Sequence, residues 1–67
     1  MADLTSIGLA IMRARQSQGM SQEDLAGAAD LARNYISRIE NGHVAFSVPV
    51  LLKIAKALEI EPEELFK

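Results

Sequence analysis

Arg33, Asn34, Ser37, Arg38 and Asn41 recur at spacings of three and four within the stretch LARNYISRIENG, residues 31–42. On a helix turning about 100° per residue they gather into one arc of roughly 140°, while Ala32, Tyr35, Ile36 and Ile39 fall on the other side. The polar arc holds two arginines and no acid, and each of its side chains can donate a hydrogen bond. That inventory suits a nucleic-acid groove. Arg forms a bidentate pair with O6 and N7 of guanine, and Asn does the same with N6 and N7 of adenine. Ser, and main-chain amides at helix starts, hold phosphates. A polar helix face is also what solvated surface looks like, so composition alone leaves both readings open. Ile36 and Ile39 need no role beyond a core, and Glu40 lies at the seam between the two faces.

Such a helix must be held by others, and the punctuation for them is regular. Asp3 or Thr5 can open a first helix whose inward face is Ile7, Ile11 and Ala14, with Ala10 alongside, and Gly19 is placed to stop it. Ser21 opens a second helix, and SQED (21–24) is a capping-box pattern in which Asp24 reaches back to a free amide. Leu25, Ala26 and Ala29 give it a small apolar face that permits close helix approach. Asp30 and Leu31 form a short break, since Asp tolerates the left-handed conformation better than most residues. A third helix is expected over Ala32–Asn41, ended by Gly42.

HVAFS (43–47) then reads as a loop, and Ser47 caps a fourth helix with Pro49 in its first turn. Leu51, Leu52, Ile54, Ala55 and Leu58 form its broad apolar face. Pro62, Glu63 and Glu64 have the form of the first turn of a short fifth helix ending at Leu65 and Phe66. No segment alternates with period two. The expected fold is all-α, a compact five-helix bundle in a single domain over 1–67, with a helix–break–helix unit at about 21–41.

A 67-residue chain has room for one domain. At this size folding buries only about 60% of the surface the unfolded chain exposes, so a partner subunit would help. The absence of cysteine excludes disulfides and thiolate metal sites. No apolar run approaches the roughly 18 residues of a membrane span, and the start lacks a signal-peptide layout. A soluble, cytoplasmic protein with no membrane partner is therefore the expectation.

The formal net charge of −2 would not announce nucleic acid by itself. Placement matters more: Glu59, Glu61, Glu63 and Glu64 lie near the end, while Arg13, Arg15, Arg33 and Arg38 precede them. His43 is a lone histidine, and Ser37 with His43 lacks an orienting acid. No Gly-rich phosphate loop is present. The expectation is a protein that is not an enzyme, with no cofactor, no metal and no indicated small-molecule effector.

GMSQEDLAGAADLARNYISRIENG (19–42) resembles the helix-turn-helix of the phage repressor and Cro-type family, also called the xenobiotic-response-element family. LLKIAKALEIEPEELF (51–66) is similar to that family's last two helices, so the resemblance covers nearly the whole chain. It implies a lambda repressor-like DNA-binding domain. Gln22 matches a glutamine that binds a phosphate and braces the reading helix. Arg33, Asn34 and Arg38 match positions that face base edges, and Ser37 and Asn41 match positions near the groove and the DNA backbone. Arg15 and Glu40 match an Arg–Glu pair tying the first helix to the third.

RNYIS (33–37) also resembles the small controller proteins of restriction–modification systems, where Tyr35 would lie against the DNA backbone. A half-buried ring supporting the core is an equally good account of Tyr35. Three residues depart from the family pattern. Ala32 stands where Ser or Thr commonly caps the reading helix, Asp30 replaces the usual turn Gly, and Glu59 replaces a helix-ending Gly.

Phe46, Val48, Ile60 and Phe66, together with Val44 and Val50, exceed what so small a core needs. They are dimer-contact candidates; the alternative is a core that closes over the loop. The resulting expectation is a sequence-specific double-stranded DNA-binding transcriptional regulator, acting as a homodimer on a near-palindromic operator. The alternative is a protein-interaction module of antitoxin type using the same fold, suggested by the acidic balance and the apolar loop.

Overall fold

The computed structural model describes residues 3–66; the ends of the expected 1–67 domain lie outside these residues. Four α-helices follow one another: α1 (Leu4–Ser17), α2 (Gln22–Ala29), α3 (Arg33–Glu40) and α4 (Val48–Leu58). A 3₁₀ turn over Pro62–Phe66 follows α4, and no strand occurs among the described residues. The expected fifth α-helix is thus corrected to a single 3₁₀ segment. Five residues are too few to offset the cost of nucleating an α-helix, and i→i+3 bonding suits so short a piece. The Glu64 amide bonds the Glu61 carbonyl at 3.0 Å, and Leu65 is buried beneath the turn.

Local chemistry sets three of the four helix starts. Asp3 caps α1 by accepting from the Ser6 amide, and Ser21 caps α2 by accepting from the Asp24 amide. Each forms a reciprocal capping box with the third helical residue. Ser47 caps α4 by accepting from the Val50 amide at 3.3 Å, with Pro49 in the first turn. α3 begins at Ala32 with no side-chain cap.

All four helices end in the same way. The amides of Met20, Leu31, His43 and Ile60 reach back to the carbonyls of Arg15, Ala26, Arg38 and Ala55. The residue before each donor is left-handed: Gly19, Asp30, Gly42 and Glu59. Asp30 and Glu59, the two departures from glycine, both hold φ at 57°. Met20, Leu31 and Ile60 then fold back onto the core.

That core is Ile7 and Ile11 of α1, Leu25, Ala26 and Ala29 of α2, Ile36 and Ile39 of α3, and Leu51, Ile54, Ala55 and Leu58 of α4, sealed by Leu65. Ala10 and Ala14 are half-buried against it. Leu52, expected on the inward face of α4, is instead 48% exposed, because the buried positions of α4 follow 51, 54, 55 and 58.

α2 packs on both α3 and α4, and α1 crosses α3. The crossing is close enough that a Cβ on Gly8 would overlap the Ile39 and Glu40 carbonyl oxygens. Gly42 is confined less tightly, its missing Cβ falling 2.9 Å from the Thr5 hydroxyl. At the far end of α1, Gln18 Nε2 donates to the Leu58 carbonyl at 2.6 Å and ties α1 to the end of α4.

Candidate nucleic-acid interface

α3 is amphipathic, and the two sides of the opening stretch separate in space. Ile36 and Ile39 are fully buried, whereas Arg33, Asn34, Arg38 and Asn41 are exposed and Ser37 is half-buried. Among the described residues Arg33 and Arg38 make no ion pair, so both guanidinium groups keep their donors for a ligand. Asn41 is partly committed: its Nδ2 donates to the Ser37 carbonyl at 2.9 Å. Tyr35 is half-buried with its ring against the core cluster.

Behind this face lies a buried charge network. Arg15 is 8% exposed and Glu40 7%. Arg15 Nε donates to Glu40 Oε2 at 2.7 Å, and Nη2 donates to Oε1 at 3.0 Å, a bidentate pair. The hydrogen bonds that Arg15 donates to Glu40 raise its pKa above the ordinary value, burial opposing them. Arg15 Nη1 also donates to the Met20 carbonyl at 2.8 Å, which fixes the chain entering α2. Gln22 Nε2 donates to the same Glu40 Oε1 at 3.0 Å. Glu40 therefore joins α1, α2 and α3, and no buried side-chain nitrogen or oxygen among the described residues lacks a partner.

The resemblance implied that Gln22 braces the third helix, but that its partner there is Glu40 was not legible in the sequence. The signal available was indirect: Glu40 at the seam of α3 and Gln22 in the first turn of α2. Their meeting depends on how α2 and α3 are docked. Sequence reasoning also missed a shallow cleft between the end of α2 and α4, lined by Ala28, Ala29, Asp30, Lys53, Lys56 and Ala57.

The dimer candidates divide. Val48 is 68% exposed and Phe66 48% exposed, and Leu52 joins them as an exposed apolar residue. Phe46 and Ile60 are half-buried against the core, as in the account where the core closes over the loop. Glu59, Glu61, Glu63 and Glu64 border or lie in the 3₁₀ segment, whose main packing partners are α1 and α4. No helix among the described residues is long and apolar enough to cross a membrane.

Two short helices joined by the break at 30–32, with the second presenting a polar face, define a helix-turn-helix unit. The helix-turn-helix family matches residues 11–65, and the chain belongs to that family. The control protein C.BamHI of Bacillus amyloliquefaciens is 50% identical over 46 residues, 69% of this chain and 57% of that protein. The HTH-type transcriptional regulator SlrR of Bacillus subtilis (strain 168) is 39% identical over 61 residues, 90% of this chain and 40% of that protein.

Among solved structures, the restriction-modification controller protein C.AhdI from Aeromonas hydrophila superposes with a TM-score of 0.94 at 42% identity, covering 98% of this chain and all of that one. The controller protein C.Esp1396I gives a TM-score of 0.87 at 36% identity, covering 94% of this chain and 82% of that one. The chain spans from 12% to 57% of the length of the curated relatives it matches.

Proposed function

We propose that this chain is a sequence-specific double-stranded DNA-binding transcriptional regulator, not an enzyme, that acts in the cytoplasm as a homodimer on a near-palindromic operator. The observation that carries the proposal is the exposed face of α3, with Arg33, Asn34 and Arg38 outward on a helix anchored by Ile36, Ile39 and Glu40. Arg33, Asn34 and Arg38 read base edges; Gln22, Tyr35, Ser37 and Asn41 meet the DNA backbone. The names of its relatives, control proteins and transcriptional regulators, agree with this reading.

Size and exposed apolar surface support the dimeric part of this reading. One domain is 28 Å in its longest dimension, whereas reading helices in successive major grooves stand about 34 Å apart. A single copy cannot reach both half-sites. Val48, Leu52 and Phe66 offer apolar surface for the second copy.

Selection of binding sites from a random duplex pool is the test, because recovered sites report binding, half-site spacing and symmetry together. On the recovered site, Arg38→Ala or Arg33→Ala is expected to cost about 1–3 kcal/mol and to relax base preference at one position. Equal weakening on all sequences would instead assign those arginines to phosphate. The absence of duplex binding at low salt would reject the proposal and favour the protein-interaction module.

A further inference from the structure

Gln22 is held from two directions by one ion pair. Arg15 fixes the Met20 carbonyl, two residues upstream of Gln22, and also fixes Glu40, which accepts from the Gln22 side chain. We propose that Glu40 is a positioning residue for DNA, acting through Gln22. The proposal rests on the DNA-binding reading above and concerns a residue that touches no base or phosphate itself.

The physical case begins with the carboxamide. Its oxygen and nitrogen ends are nearly alike in shape, so a free glutamine offers a phosphate either end, and only the nitrogen end attracts it. An ionised carboxylate accepts hydrogen bonds and donates none. Turned the other way, the Gln22 oxygen would face the Glu40 oxygen with like partial charge. Glu40 therefore dictates the amide orientation. One Nε2 hydrogen is used at 3.0 Å, and the second remains for a ligand.

Electrostatics favour the same arrangement. Two hydrogen bonds from Arg15 balance the Glu40 charge, so orienting Gln22 adds no net negative charge beside a phosphate. Gln22 is the first residue of α2, half-buried, at a helix end whose dipole favours an anion; Glu23 and Asp24 in the same turn oppose one, so the contact falls to the Gln22 side chain itself. A braced side chain has also lost its rotamer freedom before DNA arrives, which removes an ordering cost from binding.

The test is a double-mutant cycle of Gln22→Ala and Glu40→Gln, read as affinity for a duplex recovered from the random pool, with folding followed by circular dichroism. Glu40→Gln is expected to weaken binding about fivefold in the parent chain, the scale of one net hydrogen bond, and to change it little when Gln22 is already Ala. Equal losses in both backgrounds would make Glu40 merely structural and overturn the proposal.

Because Glu40→Gln also weakens the pair with Arg15, a second measurement uses the unsubstituted, DNA-free chain. By NMR, one Gln22 side-chain amide proton should exchange more slowly than those of exposed Gln16. Equal exchange at the two residues would overturn the bracing whatever the variants do. Failure of the parent chain to bind any duplex would reject the DNA reading and this role with it, whereas parent binding with equal losses rejects this role alone.

Discussion

The two helices of the motif begin in opposite ways. At the start of α2, Ser21 accepts from the Asp24 amide while Asp24 accepts from the Ser21 amide, each at 2.9 Å. At the start of α3, Ala32 has the extended backbone of a cap, φ −73° and ψ 143°, and no side chain to act as one. α2 is thus anchored by residues three apart in sequence. α3 is anchored from its sides and its far end, by Ile36, Ile39 and the Glu40 network. The first turn of α3 is left open, and that is the turn carrying Arg33 and Asn34. A helix can dispense with its cap where tertiary contacts hold it, and its free amides then face whatever approaches.

The largest effect should come from the tertiary anchor. Glu40→Ala leaves Arg15 buried without its partner and is expected to destabilise the fold by about 3–5 kcal/mol, seen as loss of the thermal transition or a large fall in its midpoint. A Glu40→Ala chain melting like the parent would mean that α3 is held by its apolar face alone. The caps come next. Ser21→Ala should cost about 1 kcal/mol in chemical denaturation, and Ala32→Ser should gain a comparable amount. If Ala32→Ser stabilises the free chain yet weakens duplex binding, the open amides at the start of α3 take part in recognition.

Smaller still is the gain at a left-handed position. Glu59→Gly relieves φ 57° at the end of α4 and should stabilise by at most about 1 kcal/mol, since glycine also raises the entropy of the unfolded chain. The smallest effect is a pH dependence. The backbone and hydroxyl bonds to Ser21 hold the Asp24 carboxyl below its ordinary 3.8. A lowered pKa adds stability above the unfolded value and loses it as pH falls through the folded value. Asp24→Asn should therefore flatten part of the acid limb of the melting-temperature profile below pH 3.8. The parallel lowering at Asp3, from its bonds to Ser6, leaves a residual slope there.

Helix starts and stops were legible because each uses short-range chemistry. Asp3, Ser21 and Ser47 cap where their types allow, and the left-handed residues fall at Gly19, Asp30, Gly42 and Glu59. Periodicity placed Ile7, Ile11, Leu25, Ile36, Ile39 and Leu58 in the core for the same reason. It failed at Leu52, where an apolar residue on a broad face points outward, and at 62–66, where composition does not distinguish an α from a 3₁₀ turn. In the candidate interface, the exposure of Arg33, Asn34 and Arg38 follows from their arc on the helix. Their roles toward DNA rest on the proposal.

By itself the sequence determined where helices begin and end and which side of each is apolar, because those are properties of residues three or four apart. The resemblance implied the Arg15–Glu40 pair, and only the tertiary structure decided that Gln22 joins it. The Arg15–Glu40 and Gln22–Glu40 contacts span 25 and 18 residues and depend on how closely α1, α2 and α3 dock. The docking distance is set by the absent side chain of Gly8 and by the small alanines of α2, and no local pattern encodes it.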